Sequence, residues 1–141
     1  MKAYTDLEQS NILAEFLPTE SADMEYILEQ WIDEKTYRHK EAFCEIPVVK
    51  VEDDCPLQPI TLDCWSLAAL LSILPIVYIN NEKEVCGPLH IDITDSETPF
   101  VLWYANLFHK GNIIEIQTKE YDNLVDACVE MITKLHEQKL L

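Results

Sequence analysis

Glycine is nearly missing from this chain. Only two occur in 141 residues, Gly87 and Gly111. A P-loop or a GxGxxG turn needs several within a few positions, so neither phosphate-binding device is present. Cations are scarce as well: 10 Lys and Arg stand against 26 Asp and Glu, a formal charge of −16. Phosphate backbones are held by clustered Lys and Arg that release counterions, so this balance argues against direct contact with DNA or RNA. It argues equally against docking on an anionic membrane. The longest uncharged run, Cys64 to Asn81, is broken by Pro75, and its apolar part falls short of the roughly 20 residues that span a bilayer. Met1 to Ser10 shows no basic segment followed by an apolar one, so no secretory signal is expected. Five cysteines (Cys44, Cys55, Cys64, Cys86 and Cys128) make an odd set without one C-x-x-C pair. A thioredoxin-like motif and a zinc ribbon therefore lack their signature, and reduced thiols in a soluble, cytoplasmic protein are expected.

What is present fits a single globular domain over residues 1–141. Hydrophobic residues make up 48% and charged residues 26%, and a chain of this length buries about two-thirds of its unfolded surface. The densest apolar patterning is Cys64 to Pro75. There Leu67, Leu70, Leu71 and Leu74 recur at i, i+3, i+4 and i+7, which places four leucines on one face of a short helix. Ser66 is its expected N-cap, Trp65 and Leu70 are placed as a hydrophobic staple, and Pro75 is the stop. A first helix is expected from Asp6 to Leu17, with Thr5 and Glu8 as its capping box. Ser21 would cap a second, carrying Met24, Ile27, Leu28 and Trp31, although Met24, Tyr26 and Leu28 also alternate as a strand would. The last helix has Asp122 or Asn123 as cap. Leu124, Val125, Cys128, Ile132 and Leu135 form its buried stripe with Met131 beside it, and Asp126, Lys134, His136 and Lys139 match its dipole.

Between these lie strand patterns. Glu45 to Glu52 carries Val48, Val49 and Val51, with Pro47 confining it to a sheet edge or a strand start. Glu52 to Pro59 reads as a loop. Ile76 to Ile79, the alternating Leu89, Ile91 and Ile93, Phe100 to Ala105, and Ile114 with Ile116 follow as strands. Their connections are too short for parallel crossovers, so a meander is expected. The fold class is α+β: an antiparallel sheet of three to five strands with two to four helices packed mainly on one face.

Candidate chemistry is thin. Cys64, just before a helix start, has the electrostatics of a nucleophile, and His39, His90, His109 or His136 would be its base, but no spacing pairs one with it. Cys128 falls on an apolar stripe and reads as core. The cysteines and histidines show no metal-ligand spacing. Asp53 and Asp54 lack the alternating ligands and the glycine of a calcium loop and read as solvated. With 26 acids many carboxylate pairs are conceivable, yet a short chain with few loops leaves little room for a glycan cleft. Trp65, Trp103 and Tyr104 read as core aromatics. Lys35, Arg38, His39 and Lys40 form the one basic cluster and read as an internal ion-pairing face. No catalytic, cofactor-binding or metal residue is assigned, and no cofactor is expected.

Three stretches resemble a family of small uncharacterised proteins of gut-type bacteria and their phages or mobile elements. Cys-Trp-Ser-Leu-Ala-Ala-Leu-Leu-Ser-Ile-Leu-Pro at 64–75 is similar to that family's Trp-Ser-Leu-x-x-Leu-Leu-x-x-Leu-Pro segment. Asn-Leu-Val-Asp-Ala-Cys-Val-Glu-Met-Ile at 123–132 resembles its closing helix, and Ser-Ala-Asp-Met at 21–24 another of its elements. The resemblance implies a compact domain in a mobile-element context and carries no activity. The expectation is an acidic, non-catalytic accessory protein that binds a protein partner with a basic surface, without direct nucleic-acid or membrane contact. The alternatives are a small enzyme with an unrecognised site and a nucleic-acid mimic. A polar pocket holding Cys64 with a histidine would favour the enzyme, rows of carboxylates the mimic, and exposed apolar surface rimmed by acids the binder.

Overall fold

A computed structural model describes residues 2–33, 38–41, 46–51, 59–79, 85–109 and 111–141. The chain is α+β and divides into two compact units, Tyr4–Ala69 and Leu70–Leu141 with Met1–Ala3.

In the unit formed by Tyr4–Ala69, α1 (Leu7–Ala14) is followed by a 3-10 turn at Thr19–Ser21 and by four strands. These are β1 (Met24–Asp33), β2 (Arg38–Glu41), β3 (Val48–Val49) and β4 (Ile60–Cys64). All pair antiparallel with β1: β4 runs along one edge, while β2 and β3 follow one another along the other. The helix expected from Ser21 is thus a strand. The alternation of Met24, Tyr26 and Leu28 wins over the helical spacing because β4, unread in the sequence, supplies a pairing partner from Met24 to Glu29. The start of α1 is also corrected. Its capping box is Asp6 with Gln9, each side chain accepting from the other residue's backbone amide, not Thr5 with Glu8. Thr5 is withdrawn from capping because its backbone bonds to Trp65 and its side chain is fully buried. β3 lies at the sheet edge directly after Pro47, as a residue without an N–H requires.

The chain passes from one unit to the other within α2 (Leu67–Ile73). The Ser66 hydroxyl accepts from the Ala69 amide at 3.2 Å, the expected N-cap. Leu70 and Leu74 are buried, while Leu67 and Leu71 are half-buried, so the four-leucine face is covered along only part of its width.

The second unit is a meander in chain order: β5 (Val77–Ile79), β6 (Val85–Ile93), β7 (Phe100–His109) and β8 (Asn112–Gln117), all antiparallel. Gly111 supplies the left-handed backbone, φ 80°, for the β7–β8 turn, a conformation that costs glycine little. Val101 and Leu102 point to opposite faces of β7, and both are buried, which explains the unbroken apolar run there. α3 (Leu124–Glu137) packs against β7 and β8. Asn123 caps it by accepting from the Asp126 amide at 2.9 Å, and Val125, Cys128, Met131, Ile132 and Leu135 are fully buried along it. One sheet with helices mainly on one face is therefore replaced by two sheets, with α1 against β4 and α3 on the meander. The physical reason is that β1 and β4 satisfy each other's backbone groups and so build a separate sheet.

Candidate functional site

Three constellations carry the chemistry that the sequence left open. The first is a buried polar cluster around Thr5. Its N–H donates to the Trp65 carbonyl at 3.0 Å, and its hydroxyl accepts from the Trp65 N–H at 3.1 Å. That hydroxyl also lies 2.8 Å from the Ser10 Oγ and 3.5 Å from the Cys64 Sγ. The Tyr26 hydroxyl donates to the Thr5 carbonyl at 2.7 Å. Around this knot the Trp65 Nε1 donates to the Ser21 Oγ at 2.9 Å. Asp23 accepts from the Ser66 amide at 2.9 Å and from its hydroxyl at 2.5 Å. Thr5, Ser10, Cys64 and Trp65 are fully buried, and Tyr26 is nearly so.

This is where Cys64 was a candidate nucleophile. Thr5 is its hydrogen-bond partner, Ser10 and Tyr26 also act on the thiol, and the negative charge of Asp23 opposes its ionisation; no histidine is among these groups. Burial pushes the thiol's pKa up despite the hydroxyls that favour the thiolate. Burial likewise pushes the Tyr26 phenol up. A reactive cysteine needs the opposite, an accessible thiolate beside a cation or base. The cluster instead satisfies buried donors and acceptors at the point where α1, β1 and β4 meet, a structural task. Cys128 is buried on α3, and burial pushes its thiol to about 12, so it is core as expected.

The second constellation is on the meander. His90 and Trp103 face each other across β6 and β7, with ring centroids 3.9 Å apart and planes 11° from parallel. The Trp103 Nε1 donates to the Asp92 Oδ2 at 2.8 Å. Trp103 is thus a half-buried partner in a stacked pair and not the core residue expected, whereas Trp65 and Tyr104 are fully buried. Tyr104 donates to the Pro75 carbonyl at 2.6 Å. His136 is exposed in the last turn of α3. His39, Cys86 and His109 lie on strands whose side chains there are outside the described residues, as are Cys44, Cys55, Asp53, Asp54 and Lys35. Among the described residues no three His, Cys, Asp or Glu side chains converge as a metal site would need. Among the described residues no helix is long and apolar enough to cross a membrane.

The third constellation is an exposed aliphatic segment around β3. Ile46 and Val49 are each 67% exposed, Val51 78% and Val48 41%. In the sequence, Glu45 precedes this segment and Glu52, Asp53 and Asp54 follow it. Of the valines read as a strand over Glu45 to Glu52, Val48 and Val49 form one and Val51 lies beyond it; their exposure was not legible, since β-branched residues ordinarily mark a packed sheet surface.

The chain was compared with family models, with curated proteins and with solved structures, and it matches none of them.

Proposed function

We propose that this is a non-catalytic, acidic accessory protein that works in the cytoplasm by binding a partner protein that has a basic surface. The supporting observation is the combination of a formal charge of −16 with the exposed aliphatic segment Ile46–Val51. Exposed aliphatic side chains supply contact area that charge alone does not. The acids steer a basic partner toward it and exclude acidic ones. The mobile-element or phage context belongs to the same proposal and rests on the Trp-Ser-Leu-x-x-Leu-Leu resemblance. The test is capture from a native host on the immobilised protein, followed by reconstitution with the purified candidate. A one-to-one complex whose association rate falls steeply with salt is expected. A complex formed only with neutral or acidic proteins, or a rate indifferent to salt, would refute the reading.

A further inference from the structure

We infer that the outer edge of β3 is the docking strand: it pairs by strand addition with an edge strand of a partner protein that is flanked by Lys and Arg. This rests on the protein-binding reading above and gives it a place and a geometry. The Lys50 amide donates to the Asp23 carbonyl at 3.1 Å, and β3 pairs with β1 through Val49 opposite Met24 and Val48 opposite Glu25. Hydrogen-bonded and non-hydrogen-bonded positions alternate along an antiparallel ladder. Lys50 and Val48 therefore turn their backbone groups toward β1, and the N–H and C=O of Val49 point away from it. No other described strand pairs with that side of β3.

Edge strands are commonly protected by a lysine that an incoming strand would have to bury. Here Lys50 gives no such protection. Its Nζ is turned back onto its own sheet, 2.6 Å from the Asp63 Oδ1 and 2.9 Å from the Thr19 carbonyl. What the edge presents is aliphatic, Ile46, Val49 and Val51, between acids at both ends in sequence. Main-chain hydrogen bonds would supply affinity and the flanking charges selectivity, as in other strand additions. A second copy is the wrong occupant. A self-pair would bring together two chains that each carry a charge of −16, which like-charge repulsion opposes. A strand bordered by cations is instead of the opposite sign to this chain, whose net charge is −16.

The experiment uses the full chain and two labelled synthetic peptides with one Val-Ile-Val-Val core, flanked by paired lysines in one and paired glutamates in the other. Fluorescence anisotropy should show the lysine-flanked peptide binding at least about ten-fold more tightly, a factor equal to about 1.4 kcal/mol. Val49→Pro removes the outward N–H without taking a ladder bond from β1. It should abolish binding while circular dichroism and the melting temperature show a retained fold. Val51→Lys, which leaves the backbone donors in place, should weaken binding at least about ten-fold by placing a cation against cations. Equal binding of both peptides, no binding of either, or indifference to both substitutions would overturn the docking strand. So would a dimer in sedimentation that Val49→Pro dissolves, since it would make a second copy the occupant. A host partner whose salt-dependent capture survives Val49→Pro would overturn this site and leave the wider protein-binding reading standing.

Discussion

The Tyr26 hydroxyl is 2.7 Å from the carbonyl oxygen of Thr5, a buried hydrogen bond between residues 21 apart in sequence. It ties β1 to the segment that enters α1, and its ring packs where solvent scarcely reaches, at 2% exposure. Tyr26→Phe keeps the ring and removes the donor. The carbonyl is left with the weaker Cys64 thiol contact at 3.5 Å, and the cost should be about 1–3 kcal/mol. Urea denaturation measures it. A midpoint equal to that of the wild type would mean that the carbonyl is satisfied without the phenol.

Leu70 is fully buried in α2, whereas Leu71, one position on, is half-buried. Leu70→Ala should cost about 2–5 kcal/mol through lost contact and a residual cavity. Leu71→Ala should cost clearly less. Thermal melts of the two variants decide the order, and a larger loss for Leu71→Ala would contradict the burial pattern of the helix.

Much of this architecture was legible locally. α3 and its Asn123 cap, the meander strands and the helix that stops before Pro75 follow from periodicity, caps and turn residues that lie within a few positions of one another. β1 was not, because Met24, Ile27, Leu28 and Trp31 fit a helix as well as Met24, Tyr26 and Leu28 fit a strand. The decision is made by pairing with β4, some 35 residues away, and tertiary context overrides local propensity in such segments. β4 itself is short and alternates Ile60, Leu62 and Cys64 directly before a helix cap, which hides it beside the stronger helical signal. The polar cluster had no local signature at all. Thr5, Ser10, Tyr26 and Cys64 meet only because β1 and β4 pair, and Thr5 imitates a helix cap in the sequence. At β3 the strand was readable from its valines, but the outward turn of Val49 depends on its register with Met24.

Direct nucleic-acid binding should be absent at physiological salt. Affinity for phosphate backbones comes from free cations, and among the described residues three are already engaged: Lys2 with Asp126 at 2.7 Å, Lys50 with Asp63 at 2.6 Å and Lys134 with Glu130 at 2.8 Å. Anisotropy with a labelled duplex and a labelled single strand is the check. A dissociation constant below about 1 μM at roughly 150 mM salt would contradict the expectation, since ordinary non-specific binding is weaker than that.

Glu130 should govern part of the acid sensitivity. Burial works against its ionisation. It is outweighed by hydrogen bonds from Lys134, Tyr121 and the Lys119 amide, the last at 3.1 Å, so the carboxyl is held below its ordinary range. Tyr121 is pushed up to about 12, first by burial and then by Glu130 itself, and so remains a proton donor at neutral pH. With the folded pKa depressed, the unfolded chain takes up its proton first as pH falls. The stabilisation is therefore complete above the unfolded carboxylate range, near pH 4.3, and is lost as pH drops through the lower folded value. Glu130→Gln keeps the side-chain shape and an acceptor for the Lys119 amide but removes the charge. The stability difference between wild type and variant should be constant from about pH 6 to 8 and shrink below about pH 5. Denaturant titrations across that range give the difference directly. A gap that stays unchanged down to about pH 2 would mean that the ionised carboxylate contributes nothing and that the variant is weakened by packing alone.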